Sequence, residues 1–439
     1  MDHWYSGKFI YVAAGIALGL FLLYAAIIIF DPVESSPVGP TQIYFADNIS
    51  PAHKKIIEQF NQLYSGRIEV VPIDLPFSKF STNERKEILA RSLRSKSDLI
   101  DVFAVDLIWV PRFAKWAEKL DPFWSKAERQ KILPEAMISC FYNQELVASP
   151  FYLDIGVMYF RRDIIETLPD AEHWIRRLKE SITWEELLQL RRMLPQYQDR
   201  FYLFQAKNYE GLVCNLVELI NPRIYPLFRG DSLNLNTPGA RRAVQFLFDL
   251  IHRYKVTPPV VLNYDEFQSY LFSLENDAVF LRGWPGFKRH YRHLIPDTTK
   301  IDRFDVAAVP HFQGEPPVAV FGGWNLMISK YSKNKWAANK FLQFILEEKH
   351  QKLLYEEGGY IPVNLEVYQD SVFLQARPEL NYYRSLLASG VHRPYVEDYT
   401  RISDVISYFS HLAIKGDMPV DVALKEATAI INHKKAIIY

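Results

Sequence analysis

The sequence predicts an α/β protein built on a parallel or mixed sheet with helices on both faces. Between Thr41 and Asp106, short apolar runs alternate with amphipathic, helix-like segments, the pattern of β-α-β units. Hydrophobic residues make up 49% of the chain and charged ones 23%, which suits large globular cores. At about 150 residues per domain, the 439 residues allow two or three units.

The amino terminus is set apart from the rest. Phe9 to Phe30 carries no charge and is long enough to span a bilayer as a helix. A single Lys8 against Asp2, no clear A-x-A site and no nearby cysteine favour an uncleaved anchor, with a cleaved signal sequence as the alternative. Either reading exports the remainder. Lys8 places residues 1–8 as a short cytoplasmic tail, residues 9–30 form the transmembrane anchor, and DPVESSPVGP (31–40) is a semi-rigid linker.

TQIYFADN (Thr41 to Asn48) reads as the first strand, and Ser50-Pro51 caps a helix whose buried face is Ile56, Ile57, Phe60 and Leu63. Ser65-Gly66 stops that helix. RIEVVPID (Arg67 to Asp74) is a second strand, Asn83 to Arg94 a charged helix, and LIDVFAVD (Leu99 to Asp106) a third strand. In such sheets ligands bind at the carboxyl ends of strands, where Asp47, Asn48 and Asp106 fall. Ile108 to Phe123 is predicted as one helix, with Pro111 in its first turn. Ser149 to Ile165 contains a strand at Ile155, Val157 and Tyr159, preceded by an exposed cluster of Phe151, Tyr152 and Asp154. Thr183 and Glu186 fit a capping box, and Thr237-Pro238 opens a helix with Val244, Leu247, Phe248 and Ile251 inward. Asn276 to Gly286 is a strand ending in a Gly-Trp-Pro-Gly turn, and Phe304 to Pro310 another strand. After Gly358 the chain is mostly helical.

Net charge is +0, with Lys+Arg 51 against Asp+Glu 51, which argues against a nucleic-acid binder. No CxxC, HExxH or clustered His/Cys spacing marks a metal site, and no cofactor loop is present. Cys140 and Cys214 either pair or remain as buried thiols. Aromatic residues reach 15%, and one arrangement recurs: an aromatic beside a carboxylate, glycine or amide at a strand end or turn. It appears at Asp106 to Trp109, Tyr152 to Asp154, Arg282 to Trp284, Gly322 to Asn325, and Arg393 to Tyr395. Sugars have apolar faces that stack on rings and hydroxyl rims that need charged or amide partners. Taken singly, each cluster also fits an aromatic filling the core. In Phe321 to Leu346 the glycine pair and Trp324 precede a strand from Asn325 to Ser329, then a helix capped by Ser332 with Ala337, Phe341, Phe344 and Ile345 inward.

The succession DVFAVDLIWVPRFAKW, PFYLDIGVMYFRRDII, ITWEELL, NDAVFLRGWP, FDVAAVP, FGGWNLMISKYSKNKWAANKFLQFI, GGYIPVN and ISDVISYF resembles the extracellular solute-binding proteins of sugar ABC transporters, the maltose- and trehalose/maltose-binding type. The resemblance runs in order from about Thr41 to the end, and GGWNLxISKxSKN is its most specific piece. It implies a type II periplasmic-binding-protein fold, with two discontinuous lobes joined by hinge strands and preceded here by one N-terminal transmembrane helix. Lobe one would take 41–149 plus 303–357 and lobe two 150–302 plus 358–439, with crossings near Pro150, Ile301 and Gly358. Matched residue by residue, it assigns ligand contacts to Asp106, Trp109, Tyr152, Asp154, Trp284, Gly322, Gly323, Trp324 and Arg393, and more loosely to Asp47 and Asn48. The chain departs from the family in lacking the lipid-attachment cysteine or cleavable signal and the glycine-rich first loop.

The resemblance implies binding without catalysis: an extracytoplasmic monomer that holds a sugar or oligosaccharide between its lobes and presents it to membrane permease subunits, with no cofactor. A membrane-anchored sugar-sensing ectodomain and a carbohydrate-active enzyme using Asp106 or Asp154 are the alternatives.

Overall fold

The computed structural model describes residues 39–433, apart from 77–78, 81, 230–231, 293–294 and 296. The expected tail, anchor and most of the linker (1–38) lie outside the described residues. Among the described residues no helix is long and apolar enough to cross a membrane.

The first units form as the alternation requires. Strand β1 (Thr41–Asp47) leads to helix α1 (Pro51–Leu63), strand β2 (Ile68–Asp74), helix α2 (Thr82–Arg94) and strand β3 (Val102–Asp106). β2 and β3 both pair parallel to β1. α1 is capped by Ser50, whose hydroxyl accepts from the His53 N–H, with Pro51 in the first turn where no N–H is needed. Ile56, Ile57 and Phe60 are buried as expected, but Leu63, at the helix end, is 55% exposed.

Apart from two short two-stranded pairs, the remaining strands sort into two sheets. β4 (Ser149–Ile155) continues through Gly156 into β5 (Val157–Arg161). β6 (Tyr202–Leu203), β7 (Phe280–Gly283) and β8 (Phe304–Ala308) build a four-stranded sheet in the order β8-β5-β7-β6. β9 (Ala319–Ile328), buried along its whole length, belongs to the six-stranded sheet. It runs antiparallel to β3 and to β4, and its first residues pair parallel with β10 (Gly390–Val391).

This pairing fixes the sheet that each strand joins. Ser149–Ile155, assigned from Pro150 onward to lobe two, is hydrogen-bonded to β9 in the larger sheet, so the chain changes sheets at Gly156. Phe304–Ala308, assigned to lobe one, pairs with β5 in the smaller sheet. Both are apolar runs, and such a run fits either sheet; long-range hydrogen bonding decides the partner.

Other local expectations shift for identifiable reasons. Ile108 to Phe123 is not one helix but three short turns, Leu107–Trp109, Val110–Phe113 and Ala114–Trp116, the first started by Asp106 accepting from the Ile108 N–H. Phe151 is fully buried rather than exposed. The glycine pair lies inside β9, not in a loop before it. Ser332 does not cap the following helix, because its hydroxyl bonds Asp101 and the Asn334 N–H.

Candidate ligand-binding junction

β9 sets the geometry. Residues directly opposite one another in a sheet share a face. Trp324 stands opposite both Tyr152 and Asp106, and Gly322 opposite Asp154. One face therefore carries Asp106, Trp324, Tyr152, Gly322 and Asp154 together. Asn325 is turned away; its amide donates to Ser139 Oγ at 2.9 Å and is buried, so it serves the scaffold.

The glycine pair admits what a side chain would exclude. A Cβ on Gly322 would lie 2.7 Å from Cζ3 of Trp284 and 3.2 Å from Cβ of Asp154. Gly323 has φ +123°, and a Cβ there would meet the Tyr152 carbonyl oxygen at 2.5 Å. Trp284 comes from the turn after β7, on the smaller sheet, so its ring touches the larger sheet at Gly322. It is held from behind: its indole N–H donates to Glu266 Oε1 at 3.3 Å, its backbone N–H donates to the Tyr270 hydroxyl at 2.9 Å, and the Arg282 guanidinium lies 4.0 Å from its ring centre.

Around these rings are buried charges. Asp47, at the end of β1, is 2.6 Å from Arg85 of α2 and 3.2 Å from His53 Nε2. Burial raises the Asp47 carboxyl, but the His53 bond and the charges of His53 and Arg85 outweigh it and hold the group below its usual range. Arg85 also lies 4.4 Å above the Trp324 ring, and Trp109 meets Trp324 edge-on at 6.0 Å. Asn48 is half-buried beside them, its N–H donating to Asp47.

Asp106, at the end of β3, takes both terminal nitrogens of Arg393 at 2.7 and 3.2 Å. The same guanidinium donates to Glu210 at 2.7 Å, and Glu210 also accepts from Tyr399 and Ser403. Glu210 opens helix α3 (Glu210–Ile220), and Arg393 follows β10. Asp154 stands apart from this network. Its Oδ1 is buried with no hydrogen-bond partner. Burial, reinforced by the nearby Asp106 charge and only partly opposed by Arg282, pushes its carboxyl well above the usual carboxylate range.

The residues to which the resemblance assigns ligand contacts thus fall on this junction or its rim, whereas Asn325 does not. The structure adds others: Arg85, Glu210, Glu266, and Tyr360, whose ring packs 4.3 Å from that of Tyr152. Tyr209-Glu210 repeats the aromatic-acid pairing seen elsewhere, and Tyr360 lies in GGYIPVN, so both carried a signal. Arg85 carried none, being one charge among many on a charged helix. Among the described residues no group of His, Cys, Asp and Glu is arranged to hold a metal ion. Hollows of 260, 740 and 220 Å³ elsewhere are lined by none of the residues to which the resemblance assigns ligand contacts. The junction differs from them in that its two sides already touch, through Trp284 and Gly322 and through Arg393.

Two sheets joined by strands that pass from one to the other, with aromatic rings and charges gathered between them, define a two-lobed solute-binding fold. The chain matches the bacterial extracellular solute-binding proteins over residues 46–352, and it belongs to that family. It is 26% identical over 342 residues to a probable ABC transporter-binding protein of Deinococcus radiodurans, covering 74% of this chain and 78% of that one. Among solved structures it is similar to maltose-bound T. maritima MalE3, with 26% identity, a TM-score of 0.80, and coverage of 90% of this chain and 100% of that one. A Listeria monocytogenes ABC substrate-binding protein in complex with cycloalternan shares the fold at 17% identity and a TM-score of 0.74, covering 90% and 99%. The protein is a solute-binding protein of an extracytoplasmic family.

Proposed function

We propose that the protein binds a sugar or oligosaccharide at the junction and presents it to the permease of an ABC importer. The observation that carries this reading is the unpartnered, buried Asp154 Oδ1 beside Trp284 and Gly322. A buried carboxyl oxygen without a partner is costly, and a ligand hydroxyl would satisfy it while the sugar ring stacks on Trp284. Asp106, Trp109, Tyr152, Trp324 and Arg393 line the same face, and Asp47 and Asn48 its rim. The similarity to the maltose-bound structure supports the ligand class.

In this reading lobe one holds the six-stranded sheet and lobe two the four-stranded sheet, with the chain crossing at Gly156 and again between β8 and β9. Ligand binding shifts the population towards the form that a permease recognises. Phe9 to Phe30 anchors the protein in the membrane with its bulk outside. Titration calorimetry of the full chain against a panel of mono- and oligosaccharides tests the ligand class. Saturable heat with one or more sugars is expected, and no binding across the panel would overturn it.

A further inference from the structure

The described chain enters β1 at Thr41 after Gly39 and Pro40. β1, β2 and β3 are parallel, so their amino ends share the edge of the sheet opposite to Asp47 and Asp106. The end of β9 reaches the same edge, since it runs antiparallel to β3. Hydrogen bonds tie the edge together: the Thr41 N–H donates to the Arg67 carbonyl at 2.9 Å, and the Asn334 amide to the Gln42 carbonyl at 3.1 Å.

This edge is unlike an ordinary solvated surface. Leu63, Leu99 and Trp336 are exposed there, at 55, 66 and 62%. Lys340 lies 5.6 Å from the Trp336 ring centre. Basic groups outnumber acidic ones: Arg67, Lys96, Lys115, Lys330, Lys333 and Lys335 stand against Glu69, Asp98 and Glu118. Asp98 and Glu118 are already paired, with Lys333 and Lys335, each at 2.6 Å. Exposed tryptophan and leucine ringed by lysine is the composition that settles at a lipid-water interface, where the ring sits at headgroup depth and the ammonium groups meet lipid phosphates.

We propose that this edge docks on an anionic phospholipid surface. The inference rests on the reading of Phe9 to Phe30 as a membrane anchor. The linker from Asp31 to Pro40 then confines the edge to within about 35 Å of the bilayer, at about 3.5 Å per extended residue. Cationic charge so confined is attracted to anionic lipid within a Debye length of the surface.

Hydrogen exchange on the full chain in nanodiscs tests this, comparing pure phosphatidylcholine with phosphatidylcholine containing phosphatidylglycerol. Amides of residues 95–100 and 330–337 should exchange about tenfold more slowly in the anionic discs, the effect of one or two lysines near such a surface, while residues 420–432 on the far lobe do not change. The pair Lys333→Glu and Lys335→Glu should abolish the difference, and Trp336→Ser should reduce it. Equal exchange in the two discs overturns docking and leaves the anchor standing. A chain that does not partition into either disc overturns both. The sugar-binding reading is untouched by any of these outcomes.

Discussion

Arg393 grips Asp106 through both of its terminal nitrogens, at 2.7 and 3.2 Å, although 287 residues separate them. The same guanidinium reaches Glu210 at 2.7 Å, so one buried cation pairs with two buried acids drawn from the end of β3 and the start of α3, and burial still holds the Glu210 carboxyl above its usual range. Removing the cation would leave both acids in a low-dielectric setting without their charge partner.

Arg393→Ala is therefore expected to lower the unfolding free energy by about 3–5 kcal/mol, as for other broken buried ion pairs. Urea denaturation followed by circular dichroism measures it. Arg393→Lys should recover only part of the loss, because an ammonium does not reproduce the two-pronged contact with Asp106. A loss below about 1 kcal/mol for the alanine variant would show that the network is not what holds these carboxylates.

Trp284→Ala should weaken sugar binding about tenfold, the effect of losing a stacking contact and its buried area. The backbone around it stays anchored, since Tyr159 and Tyr270 bond the Trp284 backbone and not its ring. Titration calorimetry and a melting curve together check it. Unchanged affinity would remove Trp284 from the site.

Gly322→Ala should act on the same contact from the other side. The added methyl would sit 2.7 Å from Trp284, so the indole or the strand must move. A changed near-ultraviolet dichroism signal and weaker sugar binding are expected, with a stability cost of about 1–3 kcal/mol. An unaltered spectrum would contradict the close approach.

How much of this was legible in the sequence depends on the range of the interaction. The Ser50-Pro51 start, the Thr183–Glu186 capping box and the first three strands are read within a few residues, and each forms as expected. The sheet chosen by Phe304–Ala308 is not local, because a five-residue run that is apolar apart from Asp305 suits either sheet and only pairing with β5 decides. The break in Ile108 to Phe123 was half visible: Asp106 is a capping type, but its side chain also serves Arg393. At the junction, aromatic-acid neighbours marked the chemistry, whereas Arg85 became visible only once α2 had packed beside Trp324.

Cys140 and Cys214 resolve the choice left open by their spacing: both are free and buried, and burial pushes both thiols up. Thiolates are the reactive form, so both should resist a disulfide-exchange reagent in the native protein and react once it is unfolded. Rapid labelling without denaturant would show that the surrounding structure opens readily.

Asp154→Asn separates a ligand contact from a scaffold group by its pH dependence. The folded carboxyl holds its proton well above the ordinary value of 3.8, because burial and the Asp106 charge disfavour its ionised form more than Arg282 favours it. Above pH 3.8 the unfolded chain releases that proton while the folded chain keeps it. The folded state then binds more protons, so this residue's contribution to stability is complete below the unfolded value and is lost as pH rises through the folded one. Asparagine is near in shape and does not titrate. The variant should match the parent below pH 3.8 and gain on it above, by up to about 1.4 kcal/mol per pH unit. Melting temperatures across the acid range check this, and parallel curves would show that Asp154 ionises freely. Sugar affinity should move the other way, weakening in the variant, because the amide replaces a carboxyl oxygen that the ligand's hydroxyl would engage.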